Sequence, residues 1–187
     1  MTSRLMLICQ GATVAIRRSA FSADEPLEER ALSAAGSVRL AWRPERGWVS
    51  PMRAARQTAG IISPDCKEDP GLRDLDYGEW AGHTIADIAQ EQPDRLAQWL
   101  GDPEFAGHGG ESIAMLLKRV AAWLDGKAPG RGRAVAVTHA AVIRAMIVHI
   151  LGAPPEAFWR VDIAPLTLSV ISHDGRRWSL RSCGAAM

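Results

Sequence analysis

The architecture of this chain follows from one segment, Arg4-Leu5-Met6-Leu7-Ile8-Cys9-Gln10-Gly11-Ala12-Thr13, in which a continuous apolar run stops at a small polar turn. Such a run is typical of a strand that is buried on both faces of a parallel sheet. Open α/β sheets bind their ligands at the carboxyl ends of the strands. Cys9, Gln10 and Gly11 therefore lie where we expect a functional site.

The composition is that of an ordinary globular protein. Of the 187 residues, 47% are apolar and 23% are charged, which suits one domain with a sizeable core. We expect residues 1–187 to form that single domain. The net charge of +1 favours neither nucleic acid nor a membrane surface as a partner, and no apolar run is long enough to span a bilayer.

The cysteines and the first residues bear on location and on cofactors. Cys9, Cys66 and Cys183 are odd in number and far apart. This spacing favours a reducing compartment and argues against a disulfide framework or a zinc site. The first strand follows at once on the first residues, which leaves no room for a signal peptide. We therefore expect a cytoplasmic protein with no metal and no cofactor.

Strand and helix patterns alternate along the rest of the chain. A second buried-strand run, at residues 134–138, ends at His139 and precedes an apolar helix. Strand patterns recur at 158–163, 166–172 and 177–181, and an Asp-Gly turn joins the last two as a hairpin. This order predicts an α/β three-layer sandwich with a mostly parallel sheet, an antiparallel edge and a C-terminal hairpin.

The same patterns locate the shorter elements. Ser50 is placed to cap a helix that follows it, with Pro51 in the first turn. The segments 15–24 and 63–71 have no clear periodicity and are predicted to be irregular. The sequence also predicts a short strand at 47–49 and helices at 26–35, 52–62, 84–92, 94–100, 111–124 and 141–151.

Five segments in a fixed order carry a family resemblance. They are Leu7-Ile8-Cys9-Gln10-Gly11-Ala12-Thr13, Ser50-Pro51-Met52-Arg53-Ala54-Ala55-Arg56-Gln57-Thr58-Ala59, Leu72-Arg73-Asp74-Leu75-Asp76-Tyr77-Gly78-Glu79-Trp80-Ala81-Gly82, Gly110-Glu111-Ser112 and Val137-Thr138-His139-Ala140-Ala141-Val142-Ile143-Arg144. In order and spacing they resemble the motifs of the histidine phosphatase superfamily, also called phosphoglycerate mutase-like. The resemblance covers nearly the whole chain and implies a phosphoglycerate mutase-like fold.

The resemblance also implies a reaction. In that family the first motif reads Leu-x-Arg-His-Gly-Glu-Thr, and its His attacks phosphorus to form phosphohistidine. Two Arg and a second His surround the phosphate and stabilise the charge that develops. A carboxylic acid protonates the leaving oxygen, and water or a second substrate takes the phosphoryl group.

Carried over residue by residue, the resemblance places Gln10, Asp74 and His139 at the catalytic positions. Asp74 replaces the usual Glu as the acid, and His139 is the second His. Gln10 stands where the nucleophilic His is expected, and its carboxamide nitrogen has no available lone pair. Removal of a covalent nucleophile lowers the rate on the order of a million-fold. The family reaction should therefore be undetectable.

The phosphate-binding positions have changed as well. Cys9 and Ala54 stand where the family has its two Arg, beside Gly11 and Thr13 of the first motif, and Ala12 replaces that motif's Glu. Each charge-assisted hydrogen bond to phosphate is worth about 1.5–3 kcal/mol. A phosphate dianion should therefore bind poorly in this degenerate pocket.

Neighbouring residues offer few replacements. Arg53 and Arg56 should point away from the pocket, because each lies at a different helical angle from the lost Arg position. Arg17 and Arg18, in the loop after the first strand, are better candidates. Cys9 would need a phosphate cradle and a lowered pKa to act as a nucleophile.

Glu111 and Ser112 allow two interpretations. The resemblance implies that they bind substrate, whereas their position before an apolar run is equally typical of a helix start.

Three functions remain open. The first is a catalytically inactive member of the family that serves as a binding or regulatory module for a small-molecule or phosphorylated ligand. The second is a phosphomonoester hydrolase or other esterase with an altered mechanism, in which Asp74 and His139 act as acid and base. The third is a structural partner in a homo- or hetero-oligomer, through a surface rich in the seven Trp.

Overall fold

The structure, a computed structural model, describes residues 3–127 and 132–187. Within these residues, six strands form one sheet: β1 (Ser3–Cys9), β2 (Arg46–Val49), β3 (Lys67–Glu68), β4 (Arg133–Thr138), β5 (Thr167–His173) and β6 (Trp178–Ala186). The α-helices in the same residues are α1 (Val14–Arg17), α2 (Glu29–Ser37), α3 (Arg53–Ile62), α4 (Ile85–Glu91), α5 (Pro93–Gly101), α6 (Ile113–Lys127) and α7 (Ala140–Leu151). In the described part of the chain, no helix has the length and apolar character needed to cross a membrane.

The strand order across the sheet is β3-β2-β4-β1-β5-β6. The four neighbouring strands β3, β2, β4 and β1 run parallel to one another. Strand β5 is antiparallel to β1, and β6 is antiparallel to β5. Cys9 at the end of β1 pairs with Thr138 at the end of β4. Gln10 and His139 therefore follow the two central strands at the same edge. The predicted mostly parallel sheet with an antiparallel edge and a C-terminal hairpin is confirmed.

Helices cover both faces of this sheet. Successive side chains of a strand point to opposite faces, so Leu5 and Leu7 of β1 join the core that α6 and α7 share. Met6 and Ile8 belong to the opposite core, together with Ala55 of α3. Complete burial of one such aliphatic side chain contributes about 2 kcal/mol. The predicted three-layer arrangement is confirmed.

Several local predictions were wrong. Residues 158–160 of the strand predicted at 158–163 belong to a 3₁₀ helix, Pro155–Arg160, because the two prolines that lead into it fix φ and remove backbone donors. Residues 161–163 form neither a helix nor a strand. The segment 63–71, predicted to be irregular, contains β3 and runs into a 3₁₀ turn at Pro70–Leu72. The short helix α1 lies mostly in the segment predicted to be irregular at 15–24.

The Trp side chains differ in how far they are exposed. All seven lie in described residues, and Trp159 is the one whose side chain is exposed. Trp80 and Trp99 are buried and lie in an aromatic cluster with Phe21, whose ring centroid is 5.3 Å and 5.5 Å from theirs. Three others are half-buried: Trp42, Trp48 and Trp178. An oligomer interface through Trp side chains stays a prediction.

Candidate functional site

A cavity of about 550 Å³ lies at the carboxyl edge of the sheet, and we call it the edge cavity. Cys9, Gln10, Asp74 and His139 line it, so the structure brings the predicted catalytic positions together. Its volume is typical of a small-molecule site. The remaining lining residues are mainly apolar and aromatic; they include Thr13, Ile16, Phe21, Tyr77, Ile85, Leu96, Trp99, Leu100, Arg144, Phe158, Trp159 and Ile163.

A second depression, of about 930 Å³, lies between residues 38–47 and 61–65. It is larger than the edge cavity but contains none of the residues that the motifs single out as catalytic or phosphate-binding. We therefore assign the candidate site to the edge cavity.

His139 is the N-cap residue of α7 and is buried. Its Nε2 lies 2.7 Å from Ser50 Oγ, and its Nδ1 lies 3.4 Å from Asp74 Oδ2, without the alignment of a hydrogen bond. Burial lowers the pKa of His139 from its ordinary value of 6.5, and the Asp74 carboxylate opposes this only in part. His139 is therefore neutral near pH 7 and gives the cavity no positive charge.

The side chains of Ser50, His139 and Asp74 lie in a line, with His139 in the middle. The nucleophile, base and orienting acid of a serine hydrolase have the same arrangement. The prediction that Ser50 caps α3 was wrong, because Met52 is the N-cap residue and makes no side-chain cap. The Ser50 hydroxyl instead accepts a hydrogen bond from the Met52 amide at 3.3 Å. Ser50 has no exposed surface and does not line the edge cavity. Its hydroxyl thus orients His139 and has no access to a substrate in this conformation.

Gln10 is fixed in place by its backbone. Its amide donates to the Thr138 carbonyl at 2.8 Å, and its carbonyl accepts from the Leu166 amide at 3.1 Å. The residue is 5% exposed, and its Oε1 accepts no hydrogen bond within residues 3–127 and 132–187. A buried polar atom without a partner costs about 1–3 kcal/mol. The nucleophile position therefore holds a buried acceptor that the described protein groups leave unsatisfied.

The Cys9 thiol is not a substitute nucleophile. Burial raises its pKa to about 12, the Asp74 carboxylate adds to the rise, and Arg144 opposes it weakly. Since the thiolate is the reactive form, the thiol is inert near pH 7. Among the residues that the structure describes, no group of three or more His, Cys, Asp or Glu side chains is placed to hold a metal ion.

The two lost Arg positions have no local replacement. Ala54 is buried in an apolar cluster with Leu27 and does not line the edge cavity. Arg17 pairs with Glu28 at 2.7 Å on the surface, and neither it nor Arg18 lines the edge cavity. These two side chains were the better candidates for the phosphate site, and the structure places neither of them there.

Arg144 supplies the positive charge of the edge cavity, a role that was not predicted from the sequence. Its Nη2 lies 3.4 Å from Asp162 Oδ1, and its Nε is buried without a hydrogen-bond partner in the described part of the chain. Residues four apart on a helix share a face, so Ala140 and Arg144 both line the cavity. The four-residue spacing from Ala140 is the sequence pattern that could have predicted this position of Arg144.

The remaining motif residues make contacts within the protein. The Gly11 amide donates to Thr58 Oγ1 at 3.0 Å, and Thr13 is the N-cap residue of α1. Ser112 Oγ accepts from the Met115 amide at 3.1 Å, close to the start of α6. Ser112 does not line the edge cavity. Its contact agrees with the helix-start interpretation.

Glu111 forms a buried fork with Arg119. Arg119 Nε donates to Glu111 Oε1 at 2.8 Å, and Arg119 Nη2 donates to Glu111 Oε2 at 2.7 Å. Glu111 does not line the edge cavity. The guanidinium also donates to three carbonyls of the segment that carries Asp74, those of Gly71, Arg73 and Asp74. The Glu111–Arg119 pair thus fixes the backbone of the segment that carries Asp74, without contact to the cavity itself.

Comparison with known proteins identifies the family of this chain. The model of the Histidine phosphatase superfamily (branch 1) matches residues 5–185. Phosphoserine phosphatase 1 of Hydrogenobacter thermophilus is 31% identical over 116 residues, which are 59% of this chain and 54% of that protein. The chain thus spans about half the length of this relative.

Two further relatives align over more of their length. Adenosylcobalamin/alpha-ribazole phosphatase of Escherichia coli is 26% identical over 174 residues, which are 85% of either chain. The solved structure of Mycobacterial hydrolase 1 superposes with a TM-score of 0.86 at 25% identity, over 100% of both chains. The superposition covers the whole chain, so the solved structure shares the fold described above.

Proposed function

The chain belongs to the histidine phosphatase superfamily, and we propose that it is a catalytically inactive member whose edge cavity serves as a binding site. One observation carries the proposal: the nucleophile position is held by Gln10, a buried carboxamide. Its nitrogen lone pair is delocalised and cannot form a bond to phosphorus. The neighbouring Cys9 thiol, with its pKa raised to about 12, offers no alternative.

The charges around the edge cavity support the same proposal. A phosphoryl group that is transferred needs several positive donors around its oxygens. Arg144 is the positively charged side chain among the described lining residues, while Asp74 and Asp162 are acidic and His139 is neutral near pH 7. The cavity therefore cannot neutralise a phosphate dianion.

The expected loss of rate, from the missing nucleophile and the two missing Arg, favours inactivity over weak activity. Loss of the nucleophile lowers the rate on the order of a million-fold. Two absent Arg remove further charge-assisted hydrogen bonds, at about 1.5–3 kcal/mol each. The related proteins carry phosphatase names, and in this proposal the chain shares their fold without their reaction.

Assays with p-nitrophenyl phosphate and phosphoserine test this proposal. We expect the purified protein to give no turnover above that of its His139→Ala variant. Turnover that His139→Ala abolishes would overturn the proposal. As a matched comparison, we expect Cys9→Arg, Gln10→His and Ala54→Arg combined to gain some phosphatase activity, provided that a cooperative melting curve shows it to be folded.

An esterase is the second candidate, and the line of Ser50, His139 and Asp74 is the observation that favours it. It would require Ser50 to reach a substrate, which its complete burial opposes. Hydrolysis of p-nitrophenyl butyrate that Ser50→Ala removes and Ser112→Ala preserves would favour the esterase. Equal rates in the wild type and both variants would exclude this mechanism.

We also propose a cytoplasmic location. Cys9, Cys66 and Cys183 are free thiols, which suits a reducing compartment. Fractionation of cells that express the protein at its natural level tests this, and recovery with an extracytoplasmic fraction would contradict it.

A further inference from the structure

We propose that the edge cavity binds an apolar ring or chain that carries a single carboxylate, with the carboxylate at Arg144. This inference rests on the proposed binding function and names its ligand class. The aromatic lining, the apolar rim and the charge balance of the cavity support it.

Aromatic side chains form much of the lining. The ring centroids of Trp99 and Trp159 lie 4.6 Å apart, and those of Phe158 and Trp159 lie 5.0 Å apart, both edge to face. Tyr77 also lines the cavity and lies 5.1 Å from Phe21. Such rings bind apolar groups through large, rigid surfaces. The body of the ligand is therefore apolar.

The rim of the cavity is apolar as well. Ile16, Ile85, Leu100 and Trp159 line the cavity, and each is more than a third exposed. They are half of the large apolar side chains that are exposed on the described surface. Exposed apolar side chains that gather around one cavity are typical of a ligand-binding groove. The apolar body of the ligand thus extends from the interior to the mouth.

The charge of the cavity suits a monoanion. Arg144 pairs with Asp162 over 3.4 Å, and the Asp162 side chain is 96% exposed. An ion pair so long and so open to water contributes little, so a ligand carboxylate can displace it. Asp74 lies in the same lining, and its negative charge opposes a second charge on the ligand. One carboxylate is therefore matched, whereas a phosphate dianion is not.

The guanidinium of Arg144 fixes the polar end of the ligand. Its Nε is buried without a partner in the described residues, but the side chain as a whole is 26% exposed and lines the cavity. A ligand carboxylate would accept a charge-assisted hydrogen bond from the accessible part of this guanidinium.

Calorimetry with three indole probes tests the ligand class. Indole-3-butyrate has one negative charge, indole-3-butyramide is neutral, and indoxyl phosphate is a dianion above its second pKa of about 6. We expect the butyrate to bind about tenfold more tightly than the butyramide, as one charge-assisted hydrogen bond provides. We expect indoxyl phosphate to bind more weakly than the butyrate.

Arg144→Gln is the decisive variant, and Arg160→Gln is its control because Arg160 is exposed and does not line the cavity. The tenfold preference for butyrate over butyramide should vanish in Arg144→Gln and persist in Arg160→Gln. Equal affinity of the wild type for both probes, no binding of any probe, or a preference that survives Arg144→Gln would each overturn the ligand class. Conversion of indoxyl phosphate to indigo with His139-dependent turnover would instead overturn the proposed inactivity, whatever the affinities are.

Discussion

Replacement of Arg119 by Met should destabilise the fold strongly. The Arg119 side chain is 17% exposed and that of Glu111 is 5% exposed, so the substitution leaves a nearly buried carboxylate without its partner. It also removes the donor to the carbonyls of Gly71, Arg73 and Asp74. Breaking a buried ion pair from one side costs about 3–5 kcal/mol. In a domain of this size, that lowers Tm by roughly 6–20 °C.

Thermal unfolding followed by circular dichroism measures this effect. Arg73→Met is the matched control, because it removes an exposed Arg from the segment that Arg119 holds; it should change stability by less than about 0.5 kcal/mol. The double variant Arg119→Met with Glu111→Gln should be more stable than Arg119→Met alone, since it no longer buries an unpaired charge. A Tm for Arg119→Met within about 2 °C of the wild type would refute the structural role of this pair.

Two further predictions follow from the pKa shifts. Burial lowers the pKa of His139 below 6.5, so the unfolded chain takes up this proton first as the pH falls. Stability should therefore drop as the pH falls below about 6.5, and the drop should be smaller in His139→Gln; identical pH profiles of the two proteins would contradict the assigned shift. Because the pKa of Cys9 is raised to about 12 and Cys183 is exposed, iodoacetamide near neutral pH should label Cys183 in the native protein and Cys9 only after unfolding. Peptide mapping checks this, and native labelling of Cys9 at a rate similar to that of Cys183 would disprove it.

Most of the architecture could be predicted from the sequence, because its strongest patterns are those of buried strands. The apolar runs of β1 and β4 require burial on both faces, which only a layered sheet provides. The prediction of a strand at 158–163 was wrong. The apolar side chains of this segment fit a strand pattern, but the two prolines before it favour a 3₁₀ turn. Strand β3 was missed because Lys67 and Glu68 are both exposed and carry no apolar signal.

The candidate site was predictable only in part. Gln10, Asp74 and His139 come together because two of them follow strands that are neighbours in the sheet, which the order of elements implies. The contact between Ser50 and His139 joins residues 89 positions apart, and no local pattern reports it. Arg144 is far in sequence from both lost Arg positions, and the pattern that places it on the cavity is its helical spacing from Ala140.

A search for a covalent phosphoryl group on the protein tests the central claim most directly. The wild type and Gln10→His would each be incubated with indoxyl phosphate, quenched at alkaline pH to preserve phosphohistidine, and examined by intact-mass spectrometry. A side-chain amide forms no bond to phosphorus, so the mass of the wild type should not change at any time point. A wild-type protein that gains the mass of one phosphoryl group, with the group mapped to the edge cavity, would contradict the account.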